Sequence, residues 1–318
     1  MNQASDQTLL SRNMKRKAWG DKISRWLFLI FALLSSSIIV VIVIFIFYKG
    51  ITPFLTTYTI EGNNYHVSLF NFIFGLTWFE PPISYGVGFA VIDTLYIVLL
   101  ALIIAVPISV LTALFIARIA HPKLGSIVNY VVELLASIPS VIFGLFGMGF
   151  IAPIVRDFAM AFGQQTAGGL SILTTVIVLS MMIMPTITMF AITAIKSVNP
   201  TLIAGSLALG ASLTQTNFKV VLKAARSGIF AGIVLGTGRA LGEATAVSMV
   251  IGNAGSGPTF GLFDRSRTLT STMLLGFNET IGVDYDIRFS VGIILIALIL
   301  FSNLLLNYLK KKLGDNIL

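Results

Sequence analysis

Long apolar runs, rather than alternating positions, dominate the chain. Residues 26–48 read WLFLIFALLSSSIIVVIVIFIFY without a single charge. Four more stretches stand out at 89–117, 128–154, 170–195 and 289–308, and a further one at 228–251 is interrupted by charges. At 1.5 Å per residue each reaches across the roughly 30 Å of a bilayer's hydrocarbon core. The period-2 pattern of a membrane β-barrel is absent. Pro107, Pro139 and Pro185 fall inside three of the runs, where neighbouring helices can re-satisfy the freed carbonyls. The first run is too long for a signal-peptide core, and no small-residue cleavage site closes it. The pattern therefore predicts an all-α membrane protein, a polytopic bundle of six transmembrane helices.

Composition agrees. Of 318 residues 56% are hydrophobic and only 11% charged, against about a quarter charged in soluble domains. With no cysteine, a disulfide framework and a thiolate metal site are excluded. His66 and His121 lie far apart, so neither a metal site nor a cofactor is expected. The +8 net charge takes its meaning from its distribution. Arg12, Lys15, Arg16, Lys17, Lys22 and Arg25 sit in the N-terminal tail. Arg118 and Lys123 follow the second run, Lys196, Lys219, Lys223 and Arg226 follow the fourth, and Lys310, Lys311 and Lys312 end the chain. Lys49, Arg156, Arg265, Arg267 and Arg288 fall on the other side, leaving Arg239 inside a span. This bias places both termini in the cytoplasm and makes a nucleic-acid role unnecessary. Residues 1–25 then form a cytoplasmic tail, 26–48 the first span, 49–88 an extracytoplasmic loop and 310–318 a second tail. The polar, basic residues 1–22 read as disordered or surface-associated.

Residues 196–227 are cytoplasmic in this scheme but too rich in Leu, Val and Ala for a solvated linker. They read as two short helices around Gly210, docked either in a groove of another protein or on their own bundle. Residues 238–247, GRALGEATAV, put Arg239 and Glu243 in an apolar run, where ionisable groups are costly. At i, i+4 on a continuous helix they share a face and can pair. Gly228, Gly232 and Gly236, then Gly238 and Gly242, repeat the small-xxx-small spacing of close helix contacts in lipid. The alternative for Gly236, Gly238 and Gly242, a dinucleotide fingerprint, lacks a preceding strand. No phosphate-binding GxxxxGK[ST] loop occurs, nor any HExxH or GxSxG. In residues 138–149, IPSVIFGLFGMG, Pro139, Gly144 and Gly147 suggest a kinked, closely packed helix or a hinge facing a path. The outer segments carry Trp78, Glu80, Pro81, Pro82 and Tyr85, and could meet a delivery protein or form plain surface caps. Ser137, Ser140 and Ser180 are expected to bond backbone carbonyls or line a path.

Three stretches carry a resemblance: 93–117, 131–146 (VELLASIPSVIFGLFG) and 236–253 (GTGRALGEATAVSMVIGN). Over residues 85–310 the chain resembles the phosphate-specific ABC importer permeases, the C-type subunit of the Pst system. Within 196–227, Gly210, Val220 and Leu222 match the spacing of the importer family's cytoplasmic motif. Ala204, Gly205 and Ser206 stand where Glu-Ala-Ala is usual, Lys223 replaces its proline, and Asp93 stands where a small residue is expected. The resemblance implies a type I importer fold over 89–309, in a bacterial plasma membrane, with 196–227 as the coupling loop. It also implies an A-type permease partner, two cytoplasmic ATP-binding subunits and an extracytoplasmic phosphate-binding protein. The chain itself is then a transport subunit and no enzyme. Arg239 is expected to line the anion path, because guanidinium binds phosphate through paired hydrogen bonds, and Glu243 to tune or gate it. A permease for another oxyanion such as sulfate or molybdate, a membrane scaffold and an intramembrane enzyme are the remaining alternatives.

Overall fold

The computed structural model describes residues 3–60, 63–79 and 84–315. Glu80, Pro81 and Pro82 lie outside the described residues. The chain divides into two compact units, residues 1–49 and 50–318.

The first unit is helical from Gln3. Its helix, α1 (Gln3–Leu55), runs a few residues into the second unit. The tail that the sequence reads as disordered or surface-associated is helical from Gln3 on, and no proline interrupts the chain before Pro53. From Trp26 to Ile44 the large apolar side chains are exposed. A helix apolar all round matches lipid rather than water.

The second unit opens with two small hairpins, β1 (Tyr58–Ile60) with β2 (Asn63–Tyr65) and β3 (Trp78–Phe79) with β4 (Ser84–Tyr85), separated by α2 (Leu69–Phe74). Helix α3 (Gly88–Leu114) continues through a π-helical turn at Phe115–Ile119. Next come α4 (Pro122–Ser137) and α5 (Ser140–Phe146), the latter passing through a π turn at Gly147–Ile151 into α6 (Ala152–Ala161). Helix α7 (Ile172–Lys196) precedes α8 (Pro200–Ala208) and α9 (Leu213–Gln215). A third π turn, Thr216–Val221, leads into α10 (Leu222–Gly242), followed by α11 (Thr245–Val250), α12 (Leu269–Leu274) and α13 (Val283–Asp315).

Helix α7 is the centre of this unit. Fifteen of its 25 residues are buried, so lipid meets little of it. α3 and α10 pack on it, sharing a core of Ile97, Ala101, Leu179, Ile183, Ile187 and Leu241. Several of its hydroxyls bond locally. Thr175 Oγ1 donates to Ser171 O and Ser180 Oγ to Ile177 O, which satisfies polar groups inside the helix. Ser137 Oγ does the same toward Leu134 O. A separate core of Phe72, Trp78, Tyr85, Phe89, Leu269 and Ile287 lies at the hairpin end. Trp78 and Tyr85, with ring centroids 5.1 Å apart, are thus core residues rather than surface caps.

Among the described residues five helical stretches are long and apolar enough to cross a membrane: Asp21–Leu55, Gly88–Ile119, Ser140–Ala161, Ile172–Lys196 and Val283–Lys312. Two expectations need correction. The run 128–154 is not one span, because the chain is extended at Ile138 and Pro139, which split α4 from α5. Pro139 lacks an N–H and biases the residue before it away from helix. The run 228–251 is not one helix either, since α10 stops at Gly242 and Glu243 is extended (φ −76°, ψ 116°).

Candidate functional site

Glycines bring α10 against α7. A Cβ on Gly228 would stand 2.5 Å from Ala194 Cβ, one on Gly232 2.8 Å from Phe190 Cβ, and one on Gly236 2.8 Å from Ile187 Cγ1. The close-packing expectation holds for these three. It does not extend to Gly238, whose nearest neighbour is Asn303 Oδ1 at 4.0 Å, or to Gly242, which has nothing within 4 Å.

This approach fixes Arg239, in the last turn of α10. The side chain is half-buried, and Nη1 donates to Thr186 Oγ1 of α7 at 3.1 Å. Thr186 follows Pro185, ten residues before the end of α7 at Lys196, or about 15 Å along the axis. The guanidinium therefore sits at mid-depth of the central helix.

Glu243 does not share that face. With α10 ended, its carboxylate turns forward, and Oε1 accepts the Ala246 N–H at 3.0 Å, satisfying an orphan donor of α11. Its carbonyl accepts Thr270 Oγ1 of α12 at 2.7 Å. The expected i, i+4 ion pair is absent because such a pair needs a helix continuing through residue 243. Neither Glu133 nor Asn129 supplies a substitute partner for Arg239, since Asn129 Nδ2 donates to Glu133 Oε1 on their own helix at 2.6 Å. Arg239 carries a permanent charge and five N–H donors. Its one hydrogen-bond partner among the described residues is a neutral hydroxyl.

The other sequence-selected residues fall in two places. Pro139 is the exposed N-cap of α5. Gly144 and Gly147 are buried contact points, where a Cβ would reach Met249 Sδ at 2.7 Å and Val178 Cγ2 at 2.6 Å. Residues 196–227 form the expected helical pair. Gly210 turns between α8 and α9 with φ +82°, a conformation that favours glycine. Ser206 Oγ and Thr216 Oγ1, 2.9 Å apart, tie α8 to the π turn. Ala204, Gly205, Gly210 and Lys223 are exposed, Ser206, Val220 and Leu222 half-buried, and Leu209 is 91% exposed.

Sequence reasoning leaves Asp93 without a role. It is fully buried, and Oδ2 accepts Ser266 Oγ at 2.5 Å while Oδ1 accepts the Thr259 N–H at 3.1 Å. The Arg267 backbone also donates to it, and Thr94 Oγ1 accepts the Leu269 N–H. Asp93 and Thr94 thus pin the segment from Thr259 to Leu269 onto α3. An acidic residue in an apolar run is the signal that could have found it. Asp93→Ala strands three donors, each costing about 1–3 kcal/mol. The expected result is a lower melting temperature of the purified chain and new protease cleavage between residues 253 and 268, both milder in Asp93→Asn.

The arrangement is that of a membrane transport subunit: lipid-facing helices, a half-buried cation at mid-depth and an exposed helical pair at one end. Residues 105–315 match the family described as binding-protein-dependent transport system inner membrane component. The chain belongs to that family. It is 35% identical over 286 residues to the probable ABC transporter permease protein YqgH of Bacillus subtilis, covering 88% of each chain. It is 33% identical over 263 residues to the phosphate transport system permease protein PstC of Pasteurella multocida, covering 77% of this chain and 82% of that one. The fold is similar to that in a crystal structure of a bacterial alginate ABC transporter in complex with an alginate pentasaccharide-bound periplasmic protein. There the TM-score is 0.60 at 18% identity, over 93% of this chain and 98% of the other. An inward-facing structure of the MetNI methionine ABC transporter aligns with a TM-score of 0.53 at 21% identity, over 72% and 94%.

Proposed function

We propose that the chain is the C-type permease subunit of an ATP-driven phosphate importer in a bacterial plasma membrane, and that Arg239 meets the anion on its path. The supporting observation is the guanidinium held at mid-depth, among the described residues, by Thr186 alone. A fixed, permanently charged fork suits a tetrahedral oxyanion. Its neutral partner leaves it able to bind without first breaking an ion pair. Glu243, four residues on, holds the joint between α10, α11 and α12 and so sets the height at which Arg239 stands on the path.

In this reading α10, 21 residues and about 31 Å long, joins the five apolar helices as the sixth span. Both termini are cytoplasmic, as the Lys and Arg distribution favours. Residues 1–25, 26–48, 49–88, 89–309 and 310–318 are then inner tail, first span, outer loop, permease domain and second tail. The helical pair within 196–227 docks in a groove on an ATP-binding subunit through Leu207, Leu209, Leu213 and Phe218, all exposed. Because α9 runs through a π turn straight into α10, motion received there reaches Arg239 along one continuous element. Pro139 is the hinge between α4 and α5, with Gly144 and Gly147 setting the contact it moves against. An A-type permease completes the membrane core, two ATPase subunits supply the hydrolysis, and a phosphate-binding protein delivers cargo at the hairpin end.

The test is phosphate-starved uptake in a deletion strain. High-affinity phosphate uptake is expected to disappear and to return with the plasmid-borne chain. Intact phosphate uptake with a loss of sulfate or molybdate uptake would overturn the cargo assignment.

A further inference from the structure

The hairpin end holds a cleft of about 510 Å³ whose walls include Trp78, Arg267, Gly276, Glu279, Thr280 and Arg288. Two arginines opening on one cavity are unusual because both are buried, Arg267 being 9% and Arg288 4% exposed. Their planes are held in place. Arg267 Nη2 donates to Asn253 O at 3.2 Å. Arg288 donates through Nη1 to Thr272 O at 2.9 Å and to Leu275 O, and through Nε to Thr280 Oγ1 at 3.3 Å. Gly276 has φ +71°, and a Cβ there would lie 3.2 Å from Arg288 Nη2, so a side chain would crowd the guanidinium. Glu279 is exposed on the same wall.

We propose that this cleft is a receiving site for a protonated tetrahedral oxyanion, bound by Arg267 and Arg288 with Glu279 accepting the anion's O–H. The inference rests on the reading of the chain as a phosphate permease with its hairpin end outside. Guanidinium forks supply charge and geometry for any such anion. Selectivity comes from Glu279, since an ionised carboxylate only accepts hydrogen bonds. Inorganic phosphate near neutral pH keeps an O–H to donate, while sulfate and a lipid phosphodiester have none and meet only repulsion. The cleft also connects to the path. Arg288 bonds the carbonyl of Thr272, and two residues earlier on α12 Thr270 bonds the carbonyl of Glu243. One short helix thus links the cleft to the joint that positions Arg239.

The test is equilibrium binding of labelled inorganic phosphate and sulfate to the complete permease–ATPase complex without binding protein, in phosphatidylcholine nanodiscs. Phosphate binding is expected to weaken about tenfold or more in Arg267→Gln. In Glu279→Gln the preference for phosphate over sulfate is expected to fall about tenfold or more as the repulsive carboxylate is lost. Glu279 is exposed, so its variant keeps the test open even where an arginine variant fails to assemble. Unchanged binding and unchanged preference in Arg267→Gln and Glu279→Gln would overturn the proposal. So would displacement of phosphate by added phosphatidylglycerol, which would assign the cleft to lipid headgroups. Uptake in the deletion strain judges the cargo and this measurement judges the cleft, so either can fail alone.

Discussion

Arg239→Gln reduces phosphate uptake to background while the chain still inserts and assembles. The contact between α10 and α7 survives because Gly228, Gly232, Gly236 and the core of Ile183, Ile187 and Leu241 make it, and the charge and the fork are what disappear. Hydrogen bonds to charged groups contribute about 1.5–3 kcal/mol each. A lost pair is then worth about 3–6 kcal/mol, two to four powers of ten in rate at about 1.4 kcal/mol per decade. Lysine retains charge without the paired geometry, so Arg239→Lys is expected to fall between the two. The measurement is labelled-phosphate uptake by starved cells, normalised to the chain present in the membrane. Near-parental uptake in Arg239→Gln would remove this arginine from the path.

What the sequence reveals, and what it hides, follows from the range of each interaction. The runs at 26–48, 89–117, 170–195 and 289–308 fall within α1, the α3 segment, α7 and α13 almost throughout, because length and apolarity belong to a segment by itself. The two breaks do not. Whether the chain continues as helix through Gly242 depends on where the Glu243 carboxylate finds donors, and its carbonyl partner Thr270 is 27 residues away. Spacing alone suggests an Arg239–Glu243 pair, and a single extended residue removes it. Asp93 is visible as an anomaly, but its partners Thr259 and Ser266 lie 166 and 173 residues further on. Arg267 and Arg288 register in the sequence only as outer-side charges. Their shared cleft depends on how α12 and α13 fold back on the hairpins.

The glycine series offers a second large effect, because the structure divides residues that the sequence presents as equivalent. Gly228→Val and Gly232→Leu are expected to destabilise the complex and abolish uptake, whereas Gly242→Ala is tolerated. At Gly228 the clash is with Ala194 Cβ, which cannot rotate away, and at Gly232 the backbone oxygen of Ile187 stands 3.3 Å from the new Cβ in addition to Phe190 Cβ. Overpacking of this kind costs about 1–3 kcal/mol or more, and in lipid it forces apart helices whose association depends on close packing. Any separation of α7 from α10 also draws Arg239 away from Thr186, which it meets at 3.1 Å. Stability and transport should therefore fall together at positions 228 and 232. At Gly242 a Cβ meets nothing within 4 Å, and alanine lowers the conformational entropy lost on folding. Melting temperature in detergent and phosphate uptake, measured on all three variants, separate the cases. If Gly242→Ala proves as damaging as Gly232→Leu, the glycines act through bending at the α10–α11 joint and not through contact with α7.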